Sequence, residues 1–317
     1  MKQYIANKSP IYYGWIILLI STSMSAVRPV MAVATLSVFI TPMSDELNWS
    51  RTAFSGAVSI GGFVGAFVSP IIGKGIDRYG TSLVMAFSSL IVAISAIAIS
   101  QVESIVYFYV FYICGRAMFA GPLMIAPQIA VSNWFVTKRA LTLAILQVSQ
   151  GIGLALIPFI AKSIIVSQNW PSAWIFLGVM VLIIGVIPPG VLMVRKPEDI
   201  GLMPDNNTNS SKSNIVVETS YTLKQALRTP TMWFLMTFAG FGFMVQAGIS
   251  LHQAPYYHDQ GIPYSQAASI VSIFALSSAT GGFLFPLFTA KFSARLMATF
   301  SSLFMALGVI IMIQADT

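Results

Sequence analysis

Two stretches of this chain, 52–73 and 79–102, carry no charged side chain. Each is long enough to cross a hydrocarbon core of ~30 Å at ~1.5 Å per helical residue. Between them runs Gly73-Lys74-Gly75-Ile76-Asp77-Arg78-Tyr79-Gly80, a charged, glycine-punctuated segment read as a tight turn joining two membrane-spanning helices. Composition extends that reading to the whole molecule. With 56% hydrophobic residues, 9% charged residues and a mean hydropathy of +0.80, a soluble globular fold is excluded. The expected class is an all-α polytopic membrane protein. A net charge of +7 could point to nucleic acid, but the cations form no stripe beside exposed aromatics, so no nucleic-acid partner is expected. The single Cys114, inside an apolar run, excludes a disulfide or a thiolate metal cluster.

Helices are predicted near 11–40, 52–72, 82–101, 104–132, 140–166, 171–194, 231–256, 265–289 and 296–314. The first is read as uncleaved, because no small-residue cleavage site follows it. The fifth and sixth must fold back near Asn169-Trp170-Pro171, where a proline follows a polar residue. Placing the N-terminus in the cytoplasm puts thirteen of the seventeen Lys and Arg residues on that side and only Arg51 in an outer loop. The one sizeable polar stretch, 195–230, reads as a cytoplasmic linker. It divides the chain into a six-helix bundle (1–194), the linker (195–230) and a three-helix bundle (231–317). A faint echo supports the division, since the pattern at 73–80 recurs as Pro286-x-x-x-Ala290-Lys291-Phe292-Ser293 without its carboxylate.

Gly-x-x-x-Asp-Arg-x-Gly at 73–80, between the second and third spans, resembles the signature loop of the major facilitator superfamily of secondary transporters. Further segments narrow the resemblance: Tyr12-Tyr13-Gly14-Trp15, Asn48-Trp49-Ser50-Arg51, Asn133-Trp134-Phe135 with Lys138-Arg139, and Arg195 to Asp205. Together they are similar to the prokaryotic monocarboxylate-transporter-like branch, which neighbours the oxalate–formate antiporters. The resemblance implies two six-helix halves, of which this chain would hold the first and three helices of an incomplete second, as a fragment or a truncated gene product. It also implies a small organic anion as substrate, moved with a proton or a counter-anion. In that family the 73–80 loop latches the outward-open state on the cytoplasmic side, which would make Gly73, Asp77, Arg78 and Gly80 gating residues. A turn that short would need glycines free at positive φ, here Gly75 and Gly80. The alternative is a topogenic turn with a weak surface ion pair.

No acidic residue lies deep in a predicted span, and the eighth lacks the Asp/Arg pair of the animal monocarboxylate carriers. Two arginines do lie deep. Arg28 falls ~24 Å into the first helix and Arg116 ~16 Å into the fourth, each at a cost of roughly 2.5–3.5 kcal/mol on insertion scales. A guanidinium fork matches a carboxylate with two parallel bonds, so both are candidate substrate ligands. The competing reading is that they bind carbonyls freed by Pro29 and Pro122, or snorkel to an interface. Gln147 in the fifth span, Gln246 in the seventh and His252 at the outer end of the seventh join the candidate list, against the ordinary roles of interhelical hydrogen bonding and interfacial capping. Gly61-Gly62-x-x-Gly65 and Gly151-x-Gly153 read as close-packing glycines. Tyr12, Tyr13, Trp15, Trp134 and Trp170 read as interfacial anchors.

The expected function is secondary transport of a small organic anion, a monocarboxylate by the resemblance, through alternating access. The expected location is a bacterial-type inner membrane, with the lipid bilayer, the anionic substrate and a proton or counter-anion as partners. A non-transporting truncated protein, or a sensor retaining the binding half, is the alternative. No catalytic, metal or cofactor site is expected: the spans hold no His/Asp cluster, no Ser/His pairing and no phosphate-cradling loop, so the chain does not read as an enzyme.

Overall fold

In a computed structural model of the chain, described for residues 12–206, 221–261 and 291–314 together with parts of 270–288, every regular element among the described residues is helical. Seven helices in these residues are long and apolar enough to cross a membrane. The chain divides into two compact units, 1–208 and 209–317.

In the first unit six spans follow one another at Gly14–Leu47, Arg51–Tyr79, Thr81–Ile99, Ile105–Trp134, Arg139–Ser167 and Trp170–Leu192. Their ends are set by local chemistry. Asn48, at φ 56, turns the chain out of the first span, and Ser50 caps the second by accepting from the Ala53 N–H at 3.3 Å. Asn169 caps the sixth by accepting from the Ser172 N–H at 2.8 Å, which places the return between the fifth and sixth spans where the polar residue and proline predicted it.

The second span shows how sequence spacing assigns faces. Phe54, Ala57, Gly61 and Gly65, at helical spacing, are buried against the fourth span, while Ile60, Phe63, Phe67 and Ile71 are exposed. Outward apolar rows of this kind suit lipid. Because lipid is as apolar as the side chains, the packing rests on close backbone approach. A Cβ on Gly65 would sit 3.0 Å from that of Ala120, and one on Gly153 would run into the Ala26 carbonyl of the first span. Gly62 and Gly151 face open space, so the close-packing reading holds for Gly61, Gly65 and Gly153 and fails for those two.

The predicted tight turn at 73–80 is not one. The second span stays helical to Tyr79, so Gly73, Gly75, Asp77 and Arg78 lie on a helix, and only Gly80 leaves it, at φ 84 and ψ 163. A single glycine in a conformation closed to other residues completes the reversal. Gly75 therefore needs no positive φ. Arg195 crosses this corner and donates from Nη2 to the Asp77 carbonyl at 2.6 Å, satisfying one of the orphan acceptors of the helix end.

Four of the recognised segments meet at the same end of the bundle. Tyr12 donates through its hydroxyl to the carbonyls of Trp134 (3.0 Å) and Met203 (3.1 Å), Tyr13 to Leu192 (2.6 Å), and the Trp134 indole N–H to Val194 (3.2 Å). Tyr13 and Trp134 are thus buried, with Phe135, in an aromatic plug, where the sequence suggested that these two stand as interfacial anchors. Trp170, likewise buried, donates to the Glu46 carboxylate at 2.7 Å. The start of the polar stretch belongs to this plug: Pro197 and Ile200 are buried, and residues 197–206 pack back onto the bundle in two short 3-10 turns.

The second unit contains the helices Pro230–Asp259 and Ala294–Gln314, with helical residues between them. A Thr222/Gln225 capping box starts the short turn that leads into it. Most of the predicted 265–289 helix, and Pro286 and Ala290 of the echo, lie outside the described residues.

Candidate functional site

Both deep arginines sit at interruptions of their helices. The first span is α-helical through Val27, tightens into a 3-10 turn at Arg28–Met31, and resumes at Val33. Pro29 causes the break, because it has no N–H to donate and its ring crowds the preceding turn. The Pro29 carbonyl closes the turn, accepting from the Ala32 N–H at 2.8 Å and from the Thr35 hydroxyl at 2.6 Å. The fourth span breaks at Gly121-Pro122, where Gly121 takes φ −100 and ψ −97. Discontinuous helices at membrane depth leave backbone groups free and are the usual setting of small-ligand sites in carriers.

The structure brings Arg28 and Arg116 together around one ring. Their guanidinium carbons lie 4.8 Å and 4.7 Å from the centroid of Phe119, so they are less than ~10 Å apart. At that separation and an effective dielectric of ~20, two like charges repel by ~1.7 kcal/mol or more. Each cation–π contact returns ~0.5–2 kcal/mol, enough to offset the repulsion without a counter-charge. The acidic residues of this region, Asp45, Glu46, Asp77 and Glu103, all stand at span ends.

The two arginines are not equivalent. Arg116 donates from Nη1 to the Met31 carbonyl at 2.9 Å, bracing the fourth span against the break in the first. Its stem occupies the niche left by Gly61, where an added Cβ would lie 2.7 Å from the Arg116 Cγ. This is the carbonyl-binding role set out as the competing reading, with Met31 supplying the acceptor. Arg28 is only 5% exposed, and its Nε is buried with no hydrogen-bond partner. The Nε of Arg116 and the hydroxyl of Tyr112, one turn below it on the same helix face, are also buried and unsatisfied. Buried polar groups without partners are costly in a bilayer unless something polar occupies the space beside them.

Phe119 and Tyr112 were not among the sequence candidates, although their spacing around Arg116, three residues after and four before, puts all three on one helical stripe. Of the candidates, Gln147 is exposed on the first unit and Gln246 on the second, and the His252 side chain lies outside the described residues. Asp77 and Arg78 are exposed at the end of the second span, with the Arg78 guanidinium 5.3 Å from the Tyr79 ring centroid. Among the described residues no cluster of His, Cys, Asp or Glu is arranged to hold a metal ion.

Comparison with known proteins places this architecture. The model of the Major Facilitator Superfamily matches residues 15–316. The uncharacterized MFS-type transporter YcxA of Bacillus subtilis is 26% identical over 50% of this chain and 39% of its own length. The oxalate:formate antiporter of Oxalobacter formigenes is 23% identical over 63% of this chain and 46% of its own length. An MFS-type transporter of Gibberella moniliformis is 23% identical over 75% of this chain and 54% of its own length. The chain thus spans about half the length or less of these relatives. It belongs to the major facilitator superfamily.

Proposed function

We propose that this member of the superfamily binds and carries a small organic anion, a monocarboxylate or close relative, with Arg28 as its main electrostatic partner. The observation that carries the reading is the state of Arg28: buried at a helix break, its Nε without an acceptor, and no carboxylate away from the span ends among the described residues of its bundle. A cation so placed is expensive to bury. An entering carboxylate would supply both the missing charge and the missing acceptors, through the fork geometry that lysine lacks. Similarity to a protein named an oxalate:formate antiporter supports the same substrate class.

In this reading 1–194 forms the first half of the carrier, 195–230 connects it, and 231–317 contributes to the second half, with Gln246 and His252 as further candidate contacts and Gln147 as one from the first. The basic end of the bundle, with Lys74, Arg78, Lys138, Arg139, Arg195 and Lys196, faces the cytoplasm of an inner membrane, as the positive-inside rule requires. Asp77, Arg78, Gly73 and Gly80 belong to the corner that gates alternating access there. A proton or a counter-anion balances the cycle.

Calorimetry on the purified chain in detergent tests the substrate class. Formate, lactate and oxalate should bind, and their neutral amides should not. Arg28→Gln should abolish binding and Arg28→Lys should weaken it, with thermal stability retained. Binding of an anion to Arg28→Gln within threefold of the unmodified chain would remove Arg28 from the site.

A further inference from the structure

We propose that Phe119 is the positioning residue of this anion site, and that its ring replaces the carboxylate that would otherwise neutralise the two arginines. The inference rests on the anion-binding reading above and adds a residue to it. A buried guanidinium is commonly held by Asp or Glu, but such a partner occupies the N–H fork and cancels the charge, leaving nothing to offer an anionic ligand. An aromatic face attracts the cation through its quadrupole, carries no net charge and leaves the fork's strong donors unspent. The Phe119 ring lies 4.8 Å from the Arg28 guanidinium carbon and 4.7 Å from that of Arg116. Arg116 is tied to the Met31 carbonyl, so the ring is fixed between a braced cation and an unbraced one. Arg28, whose Nε has no hydrogen-bond partner, meets the ring on one side and stays able to donate.

The position of Phe119 strengthens the point. It stands two residues before the break at Gly121, and Arg28 opens the break in the first span. A movement at either interruption would change how the ring meets Arg28, so the geometry of the site is linked to the two helix breaks.

The test replaces Phe119 with mono-, di- and trifluorinated phenylalanine, which weakens the ring quadrupole stepwise with little change in shape, and measures formate and oxalate affinity by calorimetry in detergent. Affinity should fall with each fluorine, reaching roughly fivefold to tenfold weaker at the end of the series, with a cooperative melting transition retained and lowered only as the ring contacts weaken. Phe119→Tyr should stay within about twofold of the unmodified chain, and Phe119→Leu should fall with the trifluorinated variant. A flat or rising series overturns the inference while leaving the substrate reading intact. Absence of any anion binding by the unmodified chain overturns both.

Discussion

The Asp205 carboxylate accepts from the backbone N–H of Thr137 at 2.6 Å, and from those of Val136 and Lys138 at 2.8 Å and 3.4 Å. Three consecutive amides just ahead of the fifth span form a concave anion site, and a residue of the polar stretch fills it from a left-handed backbone at φ 57. Asp tolerates that conformation better than most residues. Asp205→Ala should loosen this end of the bundle by about 1–2 kcal/mol, Asp205→Asn by less. Hydrogen exchange reads it directly: the amides of 136–138 should exchange roughly tenfold faster in the Ala variant, and unchanged rates would mean the bonds are not made in solution.

Gly153 and Gly151 are two residues apart in the fifth span and should respond oppositely to the same change. A methyl on Gly153 meets the Ala26 backbone, which cannot move aside without shifting the first span, whereas Gly151 has nothing within 4 Å. Gly153→Ala should cost about 1–3 kcal/mol by overpacking. Gly151→Ala should be neutral or slightly stabilising, since alanine is the better helix former. Melting curves in detergent decide it, and equal melting temperatures for the two variants would show that the spans do not approach this closely.

The spans were legible because hydrophobic length, cationic bias and caps are local signals; Ser50 and Asn169 cap helices where the apolar runs begin. The depth of Arg28 and Arg116 could also be counted from the helix rise. What could not be counted was their meeting. It depends on the crossing of two helices, and only the i+3 place of Phe119 beside Arg116 hinted at it. The corner at 73–80 misled for a different reason. Glycines there suggested a loop, but each costs a helix only about 1 kcal/mol, and the helix runs on to Tyr79. The aromatic residues of the plug were misplaced similarly, since a Trp at a span end reads as an interface anchor until its N–H partner is seen.

The corner itself separates two roles that the sequence merges. Arg195 bonds the Asp77 backbone carbonyl, not its carboxylate, so Asp77→Asn should leave that cap and the melting temperature intact. If the carboxylate gates transport, uptake into proteoliposomes should still drop several-fold. Arg195→Ala should instead lower stability by about 0.3–1 kcal/mol through loss of the helix-end contact. Undiminished uptake by the Asn variant would strip the corner of a gating role.

Arg28 and Arg116 should part company in stability as well as in binding. Removing the Arg28 head leaves no acceptor unpaired, because its Nε has none, and it relieves the repulsion between two cations on one ring. Arg28→Gln should therefore melt at the same temperature as the unmodified chain or higher. Arg116→Gln leaves the Met31 carbonyl without its donor, vacates the niche beside Gly61 and unlinks the two broken spans. That should cost about 1–3 kcal/mol, with Arg116→Lys recovering part of it through a single donor. Anion affinity should fall in both Gln variants, but in Arg116→Gln the loss should track the loss of stability. Thermal melts with and without formate separate the two cases. A stable Arg116→Gln that binds nothing would make Arg116 a direct ligand, and the brace to Met31 incidental.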